Sequence, residues 1–268
     1  MRDRYAVVGN PLAHSRSPQI HAEFARATGQ DLEYGRIEAP LEGFERAVEE
    51  FRRQGGKGLN VTVPFKEAAF RYCGKVSARA QAAQAVNTLI FSGPEISGDC
   101  TDGVGLVVDL TRNLGFELAG RSLLLMGAGG AAQGVVPALL EAGVARLVIA
   151  NRTLSRARAL AARHGTLACG YDRLGDEGFD LVVNATSAGL AGEAPKLPPS
   201  VFRPGALACD MVYGRDTPFL AQARAADARA ADGLGMLVEQ AAESFFVWRG
   251  VRPDTREILA GLRGGQAV

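Results

Sequence analysis

Ser122-Leu123-Leu124-Leu125-Met126-Gly127-Ala128-Gly129-Gly130-Ala131-Ala132 is the stretch that decides the fold. An apolar strand runs straight into glycines, and a helical pattern follows from Gln133 to Ala142. Gly127, Gly129 and Ala132 fit the G-x-G-x-x-G/A dinucleotide fingerprint. The first glycine makes a tight turn, the second admits a pyrophosphate, and the third small residue lets helix and strand pack closely. Phosphates would then meet a helix N-terminus, where free N–H groups and the dipole favour anions. A second strand, Arg146 to Ala150, ends at Asn151-Arg152-Thr153. An NAD site would place an acid there for the ribose 2′-hydroxyl. A guanidinium suits a 2′-phosphate instead, so the pattern points to NADP. Glycine-rich turns also serve as plain strand-to-helix connections, and Arg152 and Arg156 alone would read as solvated charges. Their place at a strand end promotes them.

Outward from this core, the alternation continues. Buried strands are expected at Asp180 to Asn184 and Ala206 to Asp210. That repetition predicts a doubly wound parallel sheet of the Rossmann type. Before it, strands are expected near 5–9, 32–38 and 58–63, with helices near 17–28 and 43–54. The second of these carries Phe44, Ala47, Val48 and Phe51 at helical spacing. A further strand from Val86 to Phe91 turns at Ser92-Gly93-Pro94 and returns to Asp99, and a helix over 103–114 bridges to the fingerprint domain. Met236 to Trp248 reads as an amphipathic helix with Leu237, Ala241, Phe245 and Trp248 on its apolar face, crossing back to the first domain. The expected organisation is therefore α/β throughout. Residues 1–101 with 237–268 form a substrate-binding domain, and 102–236 form the NADP domain.

Composition narrows the class. Of 268 residues, 47% are hydrophobic, and the formal charge is +1, with no basic block. This argues against a nucleic-acid partner. No apolar run approaches the ~20 residues of a membrane helix, and the chain enters its first strand without a signal-peptide pattern. The four cysteines show no metal-binding spacing and read as reduced, packed residues of a cytoplasmic protein. No metal is expected.

Several polar clusters lie where strands end. Asn10-Pro11-Leu12-Ala13-His14-Ser15-Arg16-Ser17-Pro18 follows the first strand. Ser17-Pro18 looks like a helix start, so Ser17 reads first as a cap. Ser15 and Ser17 could also offer hydroxyls to an anionic substrate. In Asn60-Val61-Thr62-Val63-Pro64-Phe65-Lys66, alternation puts Asn60 and Thr62 on one face. Lys66 reads locally as a solvated lysine at a helix start, or alternatively as a proton donor. Asn87 could cap a turn or bind a ligand. Asp102 reads as a helix-start carboxylate unless Lys66 lies beside it.

Together these segments resemble the shikimate dehydrogenase family over nearly the whole chain. The resemblance rests on Gly9-Asn10-Pro11, His14 to Pro18, Asn60 to Lys66, Ala85-Val86-Asn87-Thr88, and Asp99 with Thr101-Asp102-Gly103. It continues through Gly127 to Ala132, Asn151-Arg152-Thr153, Asn184 to Ser187, Asp210 to Tyr213, Thr217-Pro218 and Gly233 to Gln240. It implies reversible NADP-linked reduction of 3-dehydroshikimate to shikimate on the route to aromatic amino acids, by a monomer or homodimer. Lys66 and Asp102 would be the catalytic pair. Ser15 and Ser17 would hold the carboxylate, Asn60, Thr62, Asn87 and Gln240 the ring hydroxyls, and Tyr213 would close the site. Gly127, Ala128, Gly129, Gly130, Ala131, Asn151, Arg152, Thr153, Arg156 and Thr186 would bind the dinucleotide, with Met211 and Gly233 beside the nicotinamide. The chain departs from the family at Gln84, where glycine is usual, at Ala78, where an acid is common, and at Gln133-Gly134. The alternatives are a quinate/shikimate dehydrogenase using NAD, and a non-catalytic NADP-binding sensor of the same fold.

Overall fold

The chain opens as β1 (Asp3–Gly9), α1 (Ser17–Thr28), β2 (Leu32–Glu38), α2 (Phe44–Arg53), β3 (Gly56–Val61) and α3 (Lys66–Tyr72). The computed structural model describes residues 2–175 and 177–264. Two units divide them: residues 1–106 with 237–268, and residues 107–236.

The first unit continues through β4 (Lys75–Val76), α4 (Ala78–Ala83), β5 (Thr88–Ile90), β6 (Ser97–Asp99) and α5 (Asp102–Val108). Its sheet runs in the order β2-β1-β3-β5-β6-β4. β1 is parallel to β2 and β3, and β5 is antiparallel to both β3 and β6. Register places Asn60, Thr88 and Asp99 side by side across β3, β5 and β6. Phe44, Val48 and Phe51 of α2 are buried beside Val8, Leu59 and Val61, as their spacing predicted.

The second unit comprises β7 (Ser122–Met126), α6 (Gly130–Glu141), β8 (Arg146–Ala150), α7 (Leu154–His164), β9 (Leu167–Cys169), β10 (Phe179–Asn184), β11 (Phe202–Asp210), α8 (Pro218–Ala225) and β12 (Arg229–Ala231). All its strand pairs are parallel, in the order β12-β11-β10-β7-β8-β9. This is the doubly wound Rossmann order, whose direction reverses beside β7. Leu123, Leu124, Leu125 and Met126 have no exposed surface, because a parallel sheet is covered on both faces. Each such side chain contributes about 1.5–3 kcal/mol relative to an exposed one.

α9 (Leu234–Arg249) and α10 (Arg256–Gly264) end the described chain. From Leu237 onward α9 belongs to the first unit. It differs from the amphipathic helix expected. Leu237 is only partly buried, while Glu239, Glu243 and Ser244 are buried with Val238, Ala241 and Phe245. The helix is enclosed on most sides, and its buried polar groups have partners: Thr255 donates to Glu239 Oε1 at 2.9 Å.

Other local expectations need correction. The bridging helix is α5 followed by a π-helical turn at Asp109–Asn113. Ser17 is not a cap. It is the first helical residue, and Arg16 holds the cap position without a capping hydrogen bond from its own side chain. The Ser17 N–H is instead met by Ser15 Oγ at 3.4 Å. Gln84 lies at φ 51°, a left-handed conformation that glycine adopts without steric cost. That accounts for the glycine usual there in the resembling family.

Candidate active site

Lys66 begins α3 and Asp102 begins α5. Lys66 Nζ donates to Asp102 Oδ2 at 2.5 Å, with the two side chains only 12% and 5% exposed. That burial rules out the solvated lysine of the local sequence reading. It also makes the pair unlike a surface ion pair, because removing one partner would leave a buried, uncompensated charge.

Asn87 joins this pair to α9. Its Nδ2 faces Thr101 Oγ1 at 2.8 Å, Asp102 Oδ1 at 3.0 Å and Gln240 Oε1 at 3.1 Å. A carboxamide nitrogen has two hydrogens for these three acceptors, so one acceptor is left for another donor. Gln240 Oε1 is the most distant of the three. Asn87 Oδ1 accepts from Thr101 N at 2.8 Å and from the Thr88 hydroxyl at 2.9 Å, which fixes the amide's orientation. Gln240 reaches this position because α5 crosses α9 at Gly105. A Cβ there would lie 2.6 Å from Gln240 Cβ.

Asn60 is turned into the same buried network. Its Oδ1 accepts from Tyr34 at 2.7 Å, and its Nδ2 donates to Ser244 Oγ at 2.9 Å. Ser244 also touches Thr88, Thr101 and the Gln240 carbonyl. Burial pushes the Tyr34 phenol well above its ordinary pKa, against a downward pull from the Ser17 hydroxyl. The structure thus brings together Lys66, Asn87, Asp102 and Gln240, with Asn60 one hydroxyl away. Thr62, at the end of β3, makes no side-chain hydrogen bond among the described residues.

The second unit carries the other candidates. Gly127 has φ 110°, and a Cβ there would lie 3.1 Å from the Ala185 carbonyl carbon. Only glycine makes this turn between the ends of β7 and β10. At Gly129 a Cβ would meet nothing within 4 Å. α6 opens at Gly130 with no capping side chain, and Ala132 is fully buried against the sheet. Asn151 Nδ2 donates to the Thr153 carbonyl at 2.9 Å, which shapes the loop after β8. Arg152 and Arg156 are exposed and make no ion pair among the described residues. Gly127 to Ala131 therefore fit a pyrophosphate and the two arginines fit a further phosphate.

Met211, Tyr213, Thr186 and Gly233 lie on loops at the ends of β10 and β11 and before α9. A buried cluster that the sequence reading did not assign holds these loops. Asp210 Oδ2 accepts from Thr217 at 2.6 Å and from Asn184 at 3.2 Å, while Oδ1 accepts from Val212 N at 3.0 Å. Asn184 Oδ1 accepts from both the N–H and the hydroxyl of Thr186, and its carbonyl from Met211 N. Burial raises the Asp210 carboxyl pKa, which these donors oppose. The signal available was two polar residues, Asn184 and Asp210, each closing an apolar strand.

His21 was also missed. It is fully enclosed, stacked on Tyr34 at 4.1 Å, and neither ring nitrogen makes a hydrogen bond of normal geometry. Burial pushes its pKa down to about 3, against an upward pull from Asn60.

Three family models match this chain: the shikimate dehydrogenase substrate binding domain over residues 7–89, shikimate / quinate 5-dehydrogenase over 109–191, and the shikimate 5′-dehydrogenase C-terminal domain over 233–262. A shikimate dehydrogenase (NADP(+)) of Dechloromonas aromatica is 56% identical, with 98% of each chain covered. One from Aromatoleum aromaticum is 57% identical, with 97% of each covered. A shikimate 5-dehydrogenase of Thermus thermophilus, solved in complex with NADP(H) and shikimate, is 37% identical with a TM-score of 0.87. The match covers 98% of this chain and 99% of that one.

Proposed function

This chain belongs to the shikimate dehydrogenase family, and we propose that it interconverts 3-dehydroshikimate and shikimate with NADP(H). The observation that carries this reading is the buried Lys66–Asp102 pair, 2.5 Å apart and flanked by Asn87 and Gln240. When bound, NADP(H) supplies or takes the hydride. The second unit would hold it, with Gly127 to Ala131 and Thr186 on the pyrophosphate and Asn151, Arg152, Thr153 and Arg156 on the adenosine phosphate. Met211 and Gly233 would border the nicotinamide.

The first unit would bind the substrate. Lys66 would give its proton to the carbonyl oxygen during reduction and take it from the hydroxyl during oxidation. Asp102 divides its oxygens between two tasks: Oδ2 holds the Lys66 ammonium and Oδ1 holds Asn87. A substrate hydroxyl that donates to Gln240 Oε1 would satisfy the acceptor that Asn87 leaves short. Thr62, whose hydroxyl makes no side-chain hydrogen bond among the described residues, would meet the same ring with Asn60 and Asn87, and the bonds of Asn60 to Tyr34 and Ser244 keep this wall of the site in place. Ser15 and Ser17 would take the carboxylate, and Tyr213 would close over the substrate.

Near-neutral charge and four free cysteines support a cytoplasmic enzyme without a nucleic-acid partner, and the family resemblance implies a monomer or homodimer. No helix among the described residues is long and apolar enough to cross a membrane. The test is NADPH oxidation with 3-dehydroshikimate by the wild type and by Lys66→Ala. General acid–base catalysis contributes about 10²–10⁴-fold, so kcat should fall by that factor with a much smaller change in KM. A folded Lys66→Ala enzyme with near-normal kcat would remove Lys66 from the chemistry. An inactive wild type would remove the activity itself.

A further inference from the structure

Behind the candidate site lies an ionic cluster that touches none of the reacting groups. Arg79 of α4 forms a two-pronged contact with Asp99 at the end of β6: Nε to Oδ1 at 2.7 Å and Nη2 to Oδ2 at 2.6 Å. Its third nitrogen, Nη1, donates to Glu243 of α9 at 2.8 Å. Asp99 also accepts from the Ser77 hydroxyl and, through Oδ1, from the Cys100 N–H at 2.7 Å. Arg252 binds the other Glu243 oxygen. Asp99 and Glu243 are buried, and Arg79 is about one-third exposed.

Each partner of Arg79 leads to a different part of the site. The Asp99 carbonyl accepts from Asn87 N at 3.0 Å, which sets the start of β5. The Asp99 carboxylate, by holding Cys100 N, fixes the turn from β6 into α5, where Thr101 and Asp102 follow. Glu243 lies one turn beyond Gln240 on α9. One guanidinium therefore joins the three segments that present Asn87, Asp102 and Gln240. A fork of this kind fixes direction as well as distance, which a lysine ammonium cannot do.

We propose that Arg79, acting through Asp99 and Glu243, is a positioning residue for the reaction. It holds the Asn87–Asp102–Gln240 arrangement in register with Lys66. This rests on the function proposed above. Burial pushes the Asp99 carboxyl up, but the Arg79 fork and the Ser77 hydroxyl outweigh it and hold it below the ordinary carboxylate value. The Arg79–Asp99 pair is thus charged at working pH.

The experiment measures shikimate oxidation by wild type and Arg79→Ala, with and without millimolar guanidinium. A displacement of about 1 Å in a catalytic group can cost about 10²-fold, so kcat should fall roughly tenfold to a hundredfold. The KM for shikimate should rise several-fold. The KM for NADP should stay within about twofold, since no cofactor candidate touches the cluster. Guanidinium should restore part of the lost kcat in Arg79→Ala and none in Lys66→Ala. If Arg79→Ala does not fold, Asp99→Asn and Arg79→Lys decide: the first keeps the size and removes the negative charge, and the second keeps the positive charge and loses the fork. Both should show the same kcat loss in milder form. Unchanged kcat and shikimate KM in folded variants, whatever their melting temperature, would make the cluster purely structural and overturn the inference. A wild type inactive on shikimate would overturn the underlying function instead.

Discussion

His21 makes the stability of this protein depend on pH in a window where few groups titrate. The ring is 1% exposed, packed between Tyr34 and the aromatic side chains of Phe24, Phe245 and Trp248. Burial holds its pKa at about 3, against 6.5 for an ordinary histidine. The unfolded chain takes up a proton below 6.5 and the folded one does not until near 3. Stability is therefore complete above 6.5 and falls as pH drops from 6.5 toward 3. Each pKa unit corresponds to about 1.36 kcal/mol, so the shift is worth about 5 kcal/mol over the whole window. At pH 5 the loss is about 2 kcal/mol, or a fall of roughly 4–8 °C in Tm. The perturbation is His21→Phe, which keeps a flat ring on Tyr34 and removes the titration. Melting curves by calorimetry, without ligands, should show wild type losing several degrees between pH 7.5 and 5, and the variant losing much less. The residual slope would include His164, whose pKa burial and the neighbouring Arg163 also lower. Asp210, raised by burial, contributes the opposite sign, but equally in both proteins. Parallel curves for the two proteins would refute the reasoning and mean that His21 is protonated, or solvated, in the fold.

Other variants probe separate parts of the reading. Arg152→Ala should weaken NADP binding roughly ten- to hundredfold, the loss of a charge-assisted contact of about 1.5–3 kcal/mol. NAD binding measured by the same titration should hardly change, and an equal loss for both would remove Arg152 from the 2′-phosphate. Gln240→Ala should raise the KM for shikimate and leave that for NADP unaffected; steady-state constants identical to wild type would make Gln240 a structural residue. Asp210→Ala removes three hydrogen bonds from a buried cluster. It should cost about 2–4 kcal/mol in denaturant unfolding. It should also raise the KM for NADP, because Thr186 and Met211 hang on Asn184. A destabilised enzyme with normal NADP kinetics would separate the cluster from the cofactor loops.

What the sequence disclosed and what it concealed follow from the range of the interactions involved. The Rossmann unit was legible because its signals are local. β7 is a continuous apolar run, as a strand covered on both faces requires, and Gly127 must follow it because the turn needs φ 110°. The edge strands β4, β9 and β12 were missed, since two or three residues are too few to show a period. Ser17 was misread because Ser-Pro is a good local helix start, whereas here the hydroxyl is buried beside Tyr34 and the cap position is left bare. Lys66 looked solvated because its partner lies 36 residues away, on another helix. Only the resemblance to a family joined the two.

Arg79 shows the same limit more sharply. It sits in an alanine-rich stretch to which the sequence reading assigned no element, and its partners lie 20 and 164 residues further along. No local pattern encodes that convergence. It arises because β6 pairs with β5 next to β3, and because Gly105 lets α9 approach α5 closely enough to bring Glu243 and Gln240 to the same end of the sheet. The candidate chemistry needs few residues, but their register depends on long-range contacts. A charge such as Arg79 can therefore matter to the reaction without reaching the substrate. For the same reason, a substitution that spares Lys66 and Asp102 while loosening the Asp99 turn is expected to resemble a catalytic defect more than a folding one.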